Sequence, residues 1–205
     1  MDQNPYAAPS LEADARVADR GSAEDLAWFP VGTRKLWVMS ILSLGIYPVF
    51  WFERQFRFQK RARLNSTRPV WRAIFSVFFA HELFRSIEFT AAGSNIDRSW
   101  QASTMGGLFV ASAIANRVLD RVSDKLLTGT AASVIAAISI AMVIGIAYPI
   151  VQVQGTVNQI LDRTNPGHDR NDRFTAWNWL VIALGVLVLA LATLGLVMPP
   201  DAAEG

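Results

Sequence analysis

An all-α fold, a single membrane helix bundle with four to five membrane helices, is predicted by three observations. Apolar residues make up 52% of the 205 and charged residues only 18%, outside the usual balance of a soluble domain. The apolar residues come in blocks: residues 126–153 carry no charged side chain, and at about 1.5 Å per residue a helix of that length crosses a hydrocarbon core. Small residues also recur at every fourth position in two of these blocks, a spacing that lets helix backbones approach closely in lipid.

The elements follow in chain order. Residues 1–33 lack both the basic start and the apolar run of a signal peptide. They hold too little apolar surface to offset their ordering entropy, and a disordered acidic N-terminal tail is expected there. The bundle is expected over 34–200, with 201–205 as a C-terminal tail. The first run, 36–52, is LWVMSILSLGIYPVFWF, introduced by Arg34 and Lys35. It is short for a span, and Gly45 and Pro48 lie inside it. Because proline removes a helical hydrogen bond and clashes with the preceding turn, a kink near Ile46 and Tyr47 is expected, making this segment bent or re-entrant.

The second run, 70–89, begins as lipid-compatible VWRAIFSVFFA but continues into His81, Glu82, Arg85 and Glu88, so it either spans or lies at the interface. The third, 100–117, places Trp100 at one interface and a snorkelling Arg117 at the other. Residues 116–126, NRVLDRVSDKL, alternate charge at helical spacing and are expected as a solvated connection, with Arg117–Asp120 and Arg121–Asp124 as surface pairs. The fourth run, 126–153, contains Pro149 as a second expected kink, and 175–198 is the last. The small-residue stripes Ser103, Gly107, Ala111, Ala115 and Gly129, Ser133, Ala137, Ala141, Gly145 predict that the helices of the third and fourth runs pack on each other. A short echo, Gly45-Ile46-Tyr47-Pro48 against Gly145-Ile146-Ala147-Tyr148-Pro149, is more simply independent use of Tyr and Pro near an interface than an internal repeat.

Charge placement bears on orientation. The net charge of +2 is too small to imply nucleic acid, and no nucleic-acid motif is present. The densest basic cluster is Arg54, Arg57, Lys60, Arg61, Arg63, Arg68 and Arg72, directly after an apolar run. Short basic loops stay in the cytoplasm, so the Arg54–Arg72 loop is expected there as a lipid-facing topological anchor. Two topologies are compatible with this. In one, 36–52 spans, 70–89 lies on the surface, and both termini are outside. In the other, the Pro48 segment dips into the bilayer and returns, so the tail and residues 117–125 stay cytoplasmic.

Few residue sets point to chemistry. His81, Arg85 and Glu88 share a helical face with Glu82 one step round. Inside a bilayer such groups would mark a polar path, and on its surface they are the wet face of an amphipathic helix. His81-Glu82 lacks the second histidine of a zinc protease helix. The loop LDRTNPGHDRNDRF, 161–174, lacks EF-hand spacing and holds an Asn165-Pro166-Gly167 turn signal, which favours a structural loop. With no cysteine, disulfides, thiolate metal sites and cysteine nucleophiles are excluded. No phosphate loop, Ser/His/Asp set or paired-carboxylate constellation occurs, so neither a catalytic residue, a metal nor a cofactor is expected.

The string RKLWVMSILSLGIYPVFWFERQFRFQK resembles the first segment of a group of uncharacterised bacterial multi-pass membrane proteins. In these an apolar run ends in a Gly-Ile-Tyr turn followed by Trp and a basic helix; Gly45, Ile46, Tyr47, Trp51 and Arg54 carry the likeness. The N-terminal NPYAAP also resembles the start of other bacterial membrane proteins. The resemblance implies a bacterial inner-membrane location and supplies no activity. The expected function is a non-enzymatic scaffold or interaction protein that contacts membrane lipid, other membrane proteins or a second copy of itself. The alternative is a small transporter or ion-conducting protein with His81, Glu82, Arg85 and Glu88 lining its path.

Overall fold

A computed structural model describes residues 26–63, 68–126 and 130–197. Among them the chain is all-helical, with seven helices: α1 Thr33–Leu42, α2 Ile46–Arg63, α3 Pro69–Ile74, α4 Ser76–Gly93, α5 Ala102–Leu126, α6 Thr130–Thr164 and α7 Ala176–Val197. One of them, α6, is long and apolar enough over Val134–Thr164 to cross a membrane, and α7 supplies a shorter apolar stretch, Ala176–Leu191.

The run 36–52 is not one helix. Leu44 and Gly45 adopt φ of 52° and 85°, in the left-handed region that glycine enters without a Cβ penalty and leucine does not. The chain reverses there, so that Phe29, just before α1, meets Phe58 late in α2 at 5.7 Å between rings. The break precedes the kink expected at Ile46 and Tyr47. Pro48 is the third residue of α2, where no intrahelical donor is required, and the Tyr47 amide donates instead to Ser43 Oγ at 2.8 Å. Pro149, by contrast, lies inside a continuous α6 and leaves the Gly145 carbonyl without its usual helical donor.

The run 70–89 is also divided, at Phe75, between α3 and α4. The segment expected as a solvated connection after 117 is the second half of α5. Residues 26–32, placed in the tail by composition, are not free: Leu26, Trp28, Phe29 and Val31 are buried in the bundle. Four large apolar side chains within six positions bury enough surface to order a segment whose acidic neighbours lower its average. The rest of that tail, 1–25, and the C-terminal tail, 201–205, lie outside the described residues.

Antiparallel α5 and α6 form the most extensive helix pair, as expected, and α4 packs against α5. The stripe that mediates the contact differs from the one expected. On α5 the buried positions are Ala102, Met105, Gly106, Phe109 and Ser112, while Ser103, Ala111 and Ala115 are exposed and nothing lies within 4 Å of a Cβ built at Gly107. On α6, Ala137 and Ala141 are exposed, and Gly145 makes the close approach, against Ser112. A face bearing Met105 and Phe109 buries more apolar area than a stripe of alanines, and it wins. Gly129 and the side chain of Ser133 lie outside the described residues. α7 runs beside α1, with Gly185 seated on the Leu42 carbonyl. The centre is aromatic: Phe52 stacks on Phe84 at 6.1 Å and lies 5.0 Å from Phe109.

The connections sort into two ends. Lys35 reaches Asn171 and Arg173, Asn158 reaches Val31, and Arg163 reaches the carbonyls of Ser94 and Asn95. The start of α1, the α4–α5 turn and the α6–α7 loop therefore share one end. At the other, Leu44, Gly45, Pro48, Ile74 and Ser76 line one cleft. Beyond that cleft α6 and α7 continue with Val134, Ile138, Ile140, Leu187, Leu191 and Leu194 exposed.

Candidate functional site

The largest hydrogen-bonded network of the interior is built from amides. Trp51, Gln55 and Gln59 lie one turn apart on α2, and Gln154 and Asn158 one turn apart on α6, so each helix aims a column of polar side chains inward. Gln154, fully buried, accepts from Trp51 Nε1 at 2.7 Å and Gln55 Nε2 at 2.9 Å, and donates to the Phe29 carbonyl at 3.2 Å and Asn158 Oδ1 at 2.8 Å. Its four hydrogen-bonding positions are thereby filled. Gln55 reads the same backbone from the other side, accepting from the Phe29 amide at 3.1 Å and donating to its carbonyl at 3.2 Å. Asn158 donates to the Val31 carbonyl at 3.0 Å. Three peptide groups of the irregular segment 26–32, the Phe29 N–H and carbonyl and the Val31 carbonyl, are thus satisfied by side chains, which offsets the cost of burying it without secondary structure. Further along, Gln59 donates to Ser86 Oγ at 2.8 Å and Trp100 Nε1 to Thr156 Oγ1 at 2.9 Å.

Asn158 is also in the wall of a cavity of about 480 Å³ at the same end, lined by Gly32, Thr33, Arg34, Lys35, Arg170, Asp172, Arg173 and Phe174 as well. Lys35 is only 4% exposed. Its ammonium donates to Asn171 Oδ1 at 2.9 Å and the Arg173 carbonyl at 2.8 Å. Burial pushes its pKa below the ordinary 10.5, and the carboxylates of Asp169 and Asp172 oppose that shift. The loop that completes this cavity turns at Asn165-Pro166-Gly167, with Gly167 at a φ of 89°, and Arg170 pairs with Asp162.

The residues singled out by sequence divide between distinct surroundings. In the basic cluster, Arg54 lies 5.0 Å from the Phe50 ring centre, Arg57 pairs with Glu53 one turn back, and Arg61 lies 5.9 Å from Phe58. Lys60 is exposed, and the side chain of Arg63 lies outside the described residues. Arg72 sits over Phe56 and Phe79 at 4.9 and 4.6 Å and pairs with Glu82. His81 packs on Gly106, where a Cβ would collide with the imidazole. Arg85 is exposed. Glu88 binds Arg98 at 2.7 Å and accepts from the Ala102 amide at 3.4 Å, holding the start of α5. His81, Glu82 and Glu88 thus meet separate partners, Gly106, Arg72 and Arg98. Gly45 is the point of reversal, whereas its echo Gly145 lies mid-helix, so the two short motifs adopt different structures.

Lys35, Gln55, Gln154 and Asn158 were not singled out from sequence. The available signal was the four-residue spacing of an indole and two amides along Trp51, Gln55, Gln59 and of two amides along Gln154, Asn158, which places polar groups on one helical face beside apolar runs. Comparison with family models, curated proteins and solved structures returned no match for this chain.

Proposed function

We propose that the chain is a multi-pass membrane protein without catalytic chemistry of its own, a scaffold that holds anionic lipid and partner membrane proteins. The observation that carries this is the dispersal of the ionisable cluster. His81, Glu82 and Glu88 are engaged by Gly106, Arg72 and Arg98 in turn, each in a separate structural contact, whereas a conducting path needs such groups in series. The apolar surface supports the membrane half of the proposal. α6 and α7 present exposed Val, Ile and Leu beyond the body, and the tips of the two helix hairpins expose Leu44, Ile46, Ile74 and Phe75 at 50%, 71%, 56% and 46%. Lipid is the solvent that suits apolar surface of this extent, with Arg117 and Asp120 of α5 lining the cleft between the two tips.

In this arrangement α5, α6 and α7 cross, while the hairpins α1–α2 and α3–α4 enter from the end that carries Arg34, Lys35, Arg61, Arg98, Arg163 and Arg173. Those cations put that end in the cytoplasm. The location is then a bacterial inner membrane, as the resemblance of the first segment implies.

The test is reconstitution of the full chain, in which no native cysteine competes with an introduced one. Single cysteines at 95 and 167 should label from the cytoplasmic side, and reversing the charge of Arg57 and Arg61 together should mix their sidedness. His81→Ala and Glu82→Gln should leave sidedness intact, and proteoliposomes of the parent chain should leak protons no faster than empty vesicles. A proton or ion flux that either of these two substitutions abolishes would make the chain a transporter instead.

A further inference from the structure

Two cavities follow one another along α1 and the start of α7. The first is the Lys35 cavity, lined by Arg34, Lys35, Arg170, Arg173 and Asp172, with Arg170 already paired to Asp162 and Asp169 also acting on Lys35, so that Arg34 and Arg173 supply the excess positive charge. The second, of about 260 Å³, is lined by Met39, Ser43, Ile46, Tyr47, Phe50, Trp177, Asn178 and Val181. Met39 follows Lys35 by one helical turn, and Trp177 follows Phe174 by three residues, so the apolar groove begins where the cationic cavity ends. We infer that the pair forms a site for one anionic phospholipid, its headgroup phosphate held by Arg34, Lys35 and Arg173 and an acyl chain laid along Met39, Tyr47, Phe50 and Val181.

Three further features fit that occupant. The direct hydrogen-bond acceptors of Lys35 are neutral, an amide oxygen and a peptide carbonyl, so its positive charge is not spent on a direct ion pair. In a poorly hydrated position that charge attracts an anion more strongly than a surface lysine does. Trp177, in the wall of the groove, and Trp179, 5.7 Å from Phe174 of the first cavity, stand 73% and 61% exposed, and exposed tryptophans mark the headgroup depth of a bilayer. The groove is apolar on the side away from the cations, which a free phosphate would leave empty. The depth assignment rests on the membrane location proposed above, but the binding test does not.

The test uses the full chain in neutral detergent, read by native mass spectrometry. Phosphatidylglycerol, phosphatidylcholine with the same chains, and glycerol phosphate are offered at equal concentration. One phosphatidylglycerol per chain should be retained in preference to phosphatidylcholine, and glycerol phosphate should not be retained. Arg34→Gln with Arg173→Gln, both exposed positions, should weaken phosphatidylglycerol binding by about thirtyfold, as expected for two headgroup cations contributing about 1 kcal/mol each near a surface. Val181→Trp, which fills the groove, should lower lipid retention with the arginines intact. Equal retention of the two lipids, or indifference to both sets of variants, would overturn the site. Retention of glycerol phosphate as tight as that of the lipid would remove the groove and leave a soluble-anion pocket. Release of the chain from cell membranes by alkaline carbonate would refute the membrane location separately, whatever the lipid assay gives.

Discussion

At the scale of single residues, the interior is held by amide groups whose hydrogen bonds close on one another. Gln154 is the residue on which most of them depend, since Trp51, Gln55, Asn158 and the Phe29 carbonyl all bond to it. Replacing it with leucine orphans the Trp51 indole N–H and removes one partner from each of the others. An unsatisfied buried donor costs about 1–3 kcal/mol, and in a chain of this size each kcal/mol moves the midpoint by about 2–4 °C. Gln154→Leu is therefore expected to lower the thermal midpoint in detergent by several degrees. Adding Trp51→Phe to that variant should cost less than Trp51→Phe costs in the parent, because the orphaned donor is then gone. Additive losses in a four-member cycle would show that the bond at 2.7 Å contributes nothing.

At the scale of elements, close backbone approach decides which glycines matter, and it does so independently of the small-residue stripes. A Cβ at Gly185 would overlap the Leu42 carbonyl oxygen, which belongs to a helical backbone and cannot move aside. Gly107 meets nothing within 4 Å, so a methyl group there adds only helix propensity, about 1 kcal/mol in favour of alanine. Gly185→Ala is expected to destabilise the chain and loosen α7 from α1, whereas Gly107→Ala should be neutral or stabilising by up to that amount. Thermal unfolding of the two variants side by side reads the difference. The opposite order would return the α5–α6 contact to the stripe of Gly107 and Ala111. The division of 36–52 into α1 and α2 is of the same kind: the signal that mattered was Gly45, with its positive φ, and not the proline that follows it.

At the scale of the whole molecule, an aromatic and amide body occupies one end, and apolar helix lengths extend from the other. The tips at Leu44 and Phe75 face the same way as the exposed halves of α6 and α7, so a bilayer placed over the latter also receives the former. A fluorophore on a cysteine at 44 or 75 in proteoliposomes should be quenched by nitroxide-labelled lipid and shielded from aqueous iodide. One at 98 or 172 should show the reverse. Iodide quenching at all four positions would put the body and both hairpin tips in water and refute their insertion.

Much of the class of this protein was legible in one dimension. Long uncharged runs and a low charge content favour helices with apolar surroundings, because an unpaired backbone group away from water is costly and an apolar side chain in water is unfavourable. The bounds of α7 and the turn at Asn165-Pro166-Gly167 could be read for that reason, since each depends on neighbours in the chain or on the length of a run, whereas the pairing of α5 with α6 was expected from small-residue stripes that are largely exposed. What tertiary structure decided is which face of each helix turns inward, where residues 26–32 go, and which polar side chains meet. Gln55 and Gln154 are 99 positions apart, and nothing local distinguishes an amide that will close a buried network from one that will meet water. Whether Lys35 is a solvated flank or the wall of a cavity depends on a loop more than 130 residues away, and only the folded arrangement of α1, α6 and α7 brings the two together.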